Sequence, residues 1–345
     1  MADIARAAKV HHTTVSLALR NNARLPIETR ARIRAIAERM GYRPDPMLSA
    51  LNFYRSSKYS VKNPPSMGFI MRSRVDRPLD SFYADDQFLS GARRACAQIG
   101  YQLVEFHLVG TPGEGARLSR ILRSRGIGGI ILASLDTAIH ELNMAWDQFS
   151  ALCIETQHLG LSLHTVGNNQ MSGTRTAVRR LSAMGYRRIG LAVGAVEEEA
   201  LKNPFSAGYL IEVHRSADLI RVPPLLLRSY QHAENLRNLR SWIERHQIEA
   251  VLSNWNAAPE MLRSIGLRIP EDIGFATLDQ KPDEGAVAGI RQSHEPVGEC
   301  AVEALALLMK TNQKGQTPIP RTTLVDGHWQ DGPELPVKQS ASKHA

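Results

Sequence analysis

The sequence predicts a small all-α module at the amino end, followed by an α/β core of two lobes, each a doubly wound parallel sheet. Three observations predict this. Two short helical patterns joined by one tight corner fill the first twenty-two residues. From Met67 onward, short apolar runs alternate with longer amphipathic stretches. The length of 345 residues exceeds what one compact core ordinarily holds.

The first element is carried by Ile4, Ala5 and Ala8 and the second by Val15, Ala18 and Leu19, each set spaced i, i+3, i+4 along one helical face. Lys9-Val10 between them leaves room only for a sharp corner. That is the helix-turn-helix arrangement, whose second helix fits the DNA major groove. Pro26 and Glu28 open a third helix, Ile33, Ile36, Ala37 and Met40 give it one apolar face, and Gly41 ends it. A brief helical pattern runs from Met47 to about Arg55, and the proline-interrupted polar stretch Ser56 to Ser66 reads as a linker.

In the core, strands are expected at 68–71, 102–106, 129–133, 151–155, 165–167, 189–193, 250–253 and 274–278. Helices are expected at 84–99, 114–125, 171–184, 232–246 and 294–311. Strand–helix alternation implies parallel sheets covered on both faces, with ligands at the carboxyl ends of the strands. The last stretch, Gly332 to Ala345, is polar and expected to be disordered.

Charge is uneven. Residues 1–60 hold eleven Lys/Arg against four Asp/Glu, so nearly all of the net +8 lies in the amino-terminal module. A basic module on a neutral body suits a polyanion. Cys96, Cys153 and Cys300 have no C-x-x-C spacing and are expected to be buried, reduced thiols. No eighteen-residue apolar run or signal-peptide core occurs, which predicts a cytoplasmic protein with no membrane partner. No P-loop, zinc spacing or G-x-S-x-G elbow is present, and Gly126-Ile127-Gly128-Gly129 precedes a strand instead of opening a helix after one. An enzyme is therefore not expected, nor is any cofactor or metal site.

Thr14-Val15-Ser16, Glu28-Thr29-Arg30 and Gly41-Tyr42-Arg43-Pro44 occur in that order. Gly185-Tyr186-Arg187-Arg188-Ile189, Gly266-Leu267-Arg268-Ile269-Pro270-Glu271-Asp272-Ile273, and Ile290-Arg291-Gln292 with Gly298 follow. Together they resemble the LacI/GalR family of bacterial repressors over nearly the whole chain. The resemblance implies a helix-turn-helix headpiece at 1–45, a hinge helix and linker at 46–66, and a periplasmic-binding-protein-like core at 67–335. Within that core it implies lobe 1 at about 67–161 and 291–319, lobe 2 at about 162–290 and 320–335, and a disordered tail at 336–345. Relatives carry several residues before Asp3, including a Ser/Thr cap for the first helix. This chain lacks them, as if its start had been placed too late.

Carried over by position, the resemblance implies that His12, Thr13 and Leu17 read base edges. It assigns phosphate contacts, which position without specifying, to Thr14, Ser16 and Asn21. It implies that Leu51 levers into a central minor-groove step, although Leu48 and Ser49 depart from the family's hinge pattern. In the core it points to Phe82, Tyr83, Ser134, Asp136, Phe205, Trp255, Asn256 and Asp279 as effector contacts. Phe205 stands where sugar- and purine-binding relatives have arginine, and Trp255-Asn256 where they have Asn-Asp, so a small neutral effector such as a sugar is expected between the lobes. The plain alternatives are core packing for Phe205 and Trp255 and a vestigial cleft with no effector. The implied function is a homodimeric, DNA-binding transcriptional repressor on a near-palindromic operator. A cytosolic solute-binding protein is the alternative from another class.

Overall fold

The structure, a computed structural model, describes residues 2–19, 24–42, 64–73, 83–133, 135, 141–155, 160–228, 232–281 and 287–338. Asn21, Leu51, Phe82, Ser134 and Asp136, each expected at a site, lie outside the described residues, as do 339–345.

Three helices form the amino-terminal module: α1 (Ala2–Ala8), α2 (His12–Leu19) and α3 (Ile27–Arg39). Ile4, Ala8, Val15, Ala18, Ile33 and Ala37 close a miniature core, with Leu19, Leu25, Ile36 and Tyr42 packed at its margin. The expected apolar stripes are therefore buried, except that Met40 is 47% exposed because α3 has already ended at Arg39. The corner between α1 and α2 is tight because Lys9 adopts a left-handed φ of 53°. Val10 N then donates to Ala5 O at 3.0 Å and Lys9 N to Arg6 O at 3.2 Å, the paired bonds of a Schellman close. Arg32 of α3 adds a bond from Nη1 to Ala8 O at 3.1 Å, satisfying a carbonyl at the end of α1.

Beyond the linker the chain divides between two compact units, the first of which also takes in the headpiece residues. The first unit holds Met1–Ile154, Leu161–Val166 and Gly298–Thr322, and the second Glu155–Gly160, Gly167–Val297 and Thr323–Ala345.

The first unit is built on β1 (Ser66–Arg72), β2 (Gln102–Leu108), β3 (Gly129–Ala133), β4 (Ser150–Ile154) and β5 (His164–Asn168). They lie in the order β5-β4-β3-β1-β2, paired in parallel. β11 (Thr322–Val325) flanks β5, and both strands run on into the second unit. Helices α4 (Tyr83–Gln98) and α5 (Glu114–Ser124) supply crossovers, and α11 (His294–Lys310) returns to this unit. β1, β3 and β4 are buried almost end to end, as strands covered on both faces must be.

The second unit contains β6 (Ile189–Gly194), β7 (Leu225–Leu227), β8 (Ala250–Ser253), β9 (Gly274–Thr277), β10 (Gly289–Arg291) and β12 (His328–Gln330). Their order is β12-β10-β9-β8-β6-β7, parallel except for the terminal β10–β12 pair. Its helices are α6 (Gln170–Ala183), α7 (Ala195–Ala200), α8 (Pro204–Arg215), α9 (His232–His246) and α10 (Ala258–Ser264). α6 and α8 pack closely at Gly208, where a Cβ would come within 2.6 Å of Met171 O. Glu212 on α8 then accepts bonds from Arg175 and Arg179 of α6 at 2.6–2.9 Å. Those guanidiniums, Arg179 foremost, hold its carboxyl below the usual range.

The expected disordered end begins too early. Leu335 joins the second unit's core, Pro336 O accepts from Tyr186 Oη at 3.0 Å, and Lys338 N donates to Met184 O at 2.9 Å. Polar composition hid one buried leucine that anchors the segment. Cys96 and Cys153 are buried free thiols pushed up to about 12 by desolvation, and Cys300 is half-buried and also free. No helix among the described residues is long and apolar enough to cross a membrane.

Candidate nucleic-acid interface and core polar cluster

In α2 the helical period separates two faces. Val15 and Ala18 are fully buried against α1 and α3. His12 and Thr13 are exposed, and Thr14, Ser16 and Leu17 are half-buried. The helix thus turns its first polar residues outward while its apolar stripe is anchored. His11, just before it, keeps its carbonyl for the helix: His11 O accepts Thr14 N at 2.9 Å and Val15 N at 3.3 Å. Its ring Nδ1 lies 2.9 Å from Thr13 Oγ1 and accepts Thr13 N at 3.5 Å. The rings of His11 and His12 stand 4.1 Å apart, tilted by 47°. An exposed rim of imidazole and hydroxyl groups on a basic three-helix module is what groove recognition requires.

In the second unit the candidate core residues separate. Phe205 is 3% exposed within the cluster of Tyr209, Val193 and Leu252, so its ring serves packing, the plain alternative to an effector contact. The cause is Glu198 on α7. Its carboxylate, itself buried, accepts Ser206 N at 2.7 Å and Phe205 N at 3.3 Å, and so caps α8, whose Asn203 makes no side-chain cap. The phenyl ring then follows the helix inward. Trp255 is half-buried and packs beside the second core cluster, and Asn256 is exposed. Both follow β8, next to Gly194 at the end of β6, whose N–H donates to Asn254 Oδ1 at 3.1 Å. A Cβ on Gly194 would meet Trp255 Nε1 at 2.5 Å, so only glycine lets the indole sit there. In the first unit, Tyr83 opens α4 half-buried.

Asp279, after β9, belongs to a cluster with no counterpart in the expected set of contacts. Its Oδ1 lies 2.9 Å from Nε2 of His294, which is 5% exposed. His294 Nδ1 lies 3.1 Å from Asn168 Nδ2, which also donates to Glu155 Oε1 at 3.0 Å. Asn168 N reaches the same Glu155 oxygen at 2.9 Å, and Asn168 Oδ1 accepts Ser293 N at 3.0 Å. Ser293 Oγ donates to Asp326 O, and Asn169 Nδ2 to Asp326 Oδ1, both at 2.8 Å. Glu155, Asn168, His294 and Asp326 each lie within a few residues of a point where the chain passes from one unit to the other. The polar chain therefore ties those segments together on the second unit's side. Burial pushes the Glu155 carboxyl upward, against the pull of its Asn168 bonds. The signal for this cluster was faint: a lone acid closing an apolar strand and a histidine opening a long helix.

Residues 1–45 match the family described as bacterial regulatory proteins, lacI family. A regulator from Pseudomonas plecoglossicida, PtxS, is 24% identical over 335 residues, covering 94% of this chain and 92% of its own. The ribose operon repressor of Haemophilus influenzae is 22% identical over 340 residues, with coverages of 94% and 96%. The amino-terminal module is thus of the lacI family, and the chain is similar over nearly its whole length to named transcription regulators. With that module and those relatives it is a DNA-binding transcription regulator. Among solved structures, a CelR–cellobiose complex superposes with a TM-score of 0.59 at 20% identity, covering 95% of this chain and 97% of that one. A lac repressor dimer bound to operator and the anti-inducer ONPF gives 0.57 at 19%, covering 95% and 96%. At such identities these two structures bear on the fold alone: helix-turn-helix headpiece plus two-lobed α/β core.

Proposed function

We propose that two copies of this chain bind a near-palindromic operator in the cytoplasm and repress transcription from it, each placing α2 in a major groove. His12, Thr13 and Leu17 meet base edges, Thr14, Ser16 and Asn21 meet phosphates, and Leu51 enters the minor groove between half-sites. The observation that carries this is the division of α2 into a buried Val15/Ala18 face and an exposed His12/Thr13 rim. Thr13→Ala should weaken operator binding in mobility shifts by about 1–3 kcal/mol while sparing nonspecific DNA. Equal loss on both would reject base readout by Thr13.

A small neutral ligand such as a sugar is the proposed effector, received by Trp255, Asn256 and Asp279 at the carboxyl ends of the second unit's strands. A half-buried indole beside amides suits a sugar ring, and the bound cellobiose in one structural relative is consistent with that class. A second proposal, a regulator without an effector, is favoured by two observations: Phe205 is committed to the core and Asp279 already binds His294. Thermal-shift screening against neutral saccharides separates the two, because a saturable rise in Tm supports the effector and none across a broad panel supports its absence.

A further inference from the structure

The geometry points to His11 as a positioning residue that accepts the hydrogen bond of the Thr13 hydroxyl, so that Thr13 offers only oxygen lone pairs to the groove and selects a base bearing an exocyclic amine. The inference rests on the proposal that Thr13 meets base edges.

The first turn of any helix leaves N–H groups that need acceptors. His11 O takes those of Thr14 and Val15, and the Thr13 N–H is directed at His11 Nδ1, 3.5 Å away. A ring nitrogen that accepts an N–H carries a lone pair, so His11 has its hydrogen on Nε2. The partial positive charge at the start of α2 favours the same arrangement, since a second N–H there would face like polarity. With Nδ1 an acceptor, the 2.9 Å contact to Thr13 Oγ1 can only be an O–H donated to nitrogen. Contact with the His12 ring at 4.1 Å restrains the His11 ring.

A threonine hydroxyl free to rotate can donate to or accept from a base. One whose proton is already committed can only accept. In the major groove, adenine N6 and cytosine N4 donate, whereas thymine O4 and guanine O6 and N7 accept. Thr13 should therefore contact adenine or cytosine, and His11 decides this through its bond to Thr13.

The test uses the full-length protein and its selected operator. Thr13→Ala identifies the base pair that Thr13 contacts, as the one whose preference is lost. At that pair, purine replaces adenine or pyrimidin-2-one replaces cytosine, deleting only the amine, and binding is followed by fluorescence anisotropy. The wild type should lose about tenfold in affinity on amine deletion, and Thr13→Ala should be indifferent. His11→Ser keeps an oxygen able to cap α2 but no ring nitrogen at Thr13. It should retain the wild-type Tm and nonspecific DNA affinity, with its amine-deletion penalty reduced to about twofold or less. Wild-type indifference to the missing amine, or an undiminished penalty in His11→Ser, overturns the assignment while leaving Thr13 as a reader. If Thr13→Ala relaxes no base pair at all, the readout proposal and this inference fall together.

Discussion

The carboxamide of Asn168 meets the imidazole of His294 at 3.1 Å, Nδ2 to Nδ1, and this contact fixes the hydrogens along four buried or half-buried side chains. Asn168 Oδ1 is occupied by Ser293 N, so Nδ2 is the donor end. Its two hydrogens go to Glu155 and His294, which leaves His294 to donate from Nε2 to Asp279. Removing the amide takes from Ser293 N its acceptor and from His294 Nδ1 its donor, and it leaves Glu155 with only the backbone N–H of residue 168. Asn168→Leu should cost about 3 kcal/mol or more in chemical denaturation, since each stranded buried group costs about 1–3 kcal/mol. A loss under about 1 kcal/mol would mean that water replaces the amide without penalty.

Glu155 makes the same cluster sensitive to pH. Desolvation raises its carboxyl in the folded state, so the folded chain holds that proton more tightly than the unfolded chain does. Ionisation therefore costs stability above the folded pKa, and the cost disappears as pH falls toward the unfolded value of about 4.3. Glu155→Gln keeps an oxygen for the two Asn168 donors and removes the buried charge. Its Tm should exceed the wild type's by roughly 2–4 °C at pH 8, with the gap closing by about pH 4.5. A gap independent of pH would exclude ionisation of Glu155 as its source.

Lys9 carries a backbone conformation that glycine adopts freely. Lys9→Gly should stabilise the headpiece by about 0.5–1 kcal/mol, the relief at φ 53° outweighing the extra freedom gained by the unfolded chain. Slower amide exchange in α1 and α2 of the full-length protein would register it, and unchanged or faster exchange would show that the turn is unstrained.

Glu198 reaches across from α7 to cap α8. Glu198→Ala should destabilise the second unit by about 2 kcal/mol, within the range for a lost cap that is also charge-assisted. Glu198→Gln should recover part of that loss, because an amide oxygen can still accept Ser206 N. If both variants melt alike, the carboxylate contributes only its charge.

The sequence made the fold legible wherever one element buries one stripe. Val15 and Ala18, or Ile130 to Ala133, announce themselves by period and by continuous apolarity. It was silent on β7, β10 and β12, which are three residues long and take their strand character from neighbours rather than from pattern. α7 and α8 were equally hidden, because Glu197-Glu198-Glu199 reads as a solvated run although Glu198 is 1% exposed. At the candidate sites, position along α2 told which residues could face outward. It could not show that His11 engages Thr13, nor that Phe205 turns inward. Those depend on a ring torsion and on a cap supplied from another helix, neither of which leaves a periodic trace.

The central claim is that α2 of two copies reads a DNA duplex. Repeated selection of full-length protein against random double-stranded oligonucleotides at moderate ionic strength tests it most directly. The account predicts a two-fold symmetric consensus whose half-site positions change when Thr13 is replaced by alanine. Recovery of no symmetric consensus, or of one indifferent to Thr13, would contradict it.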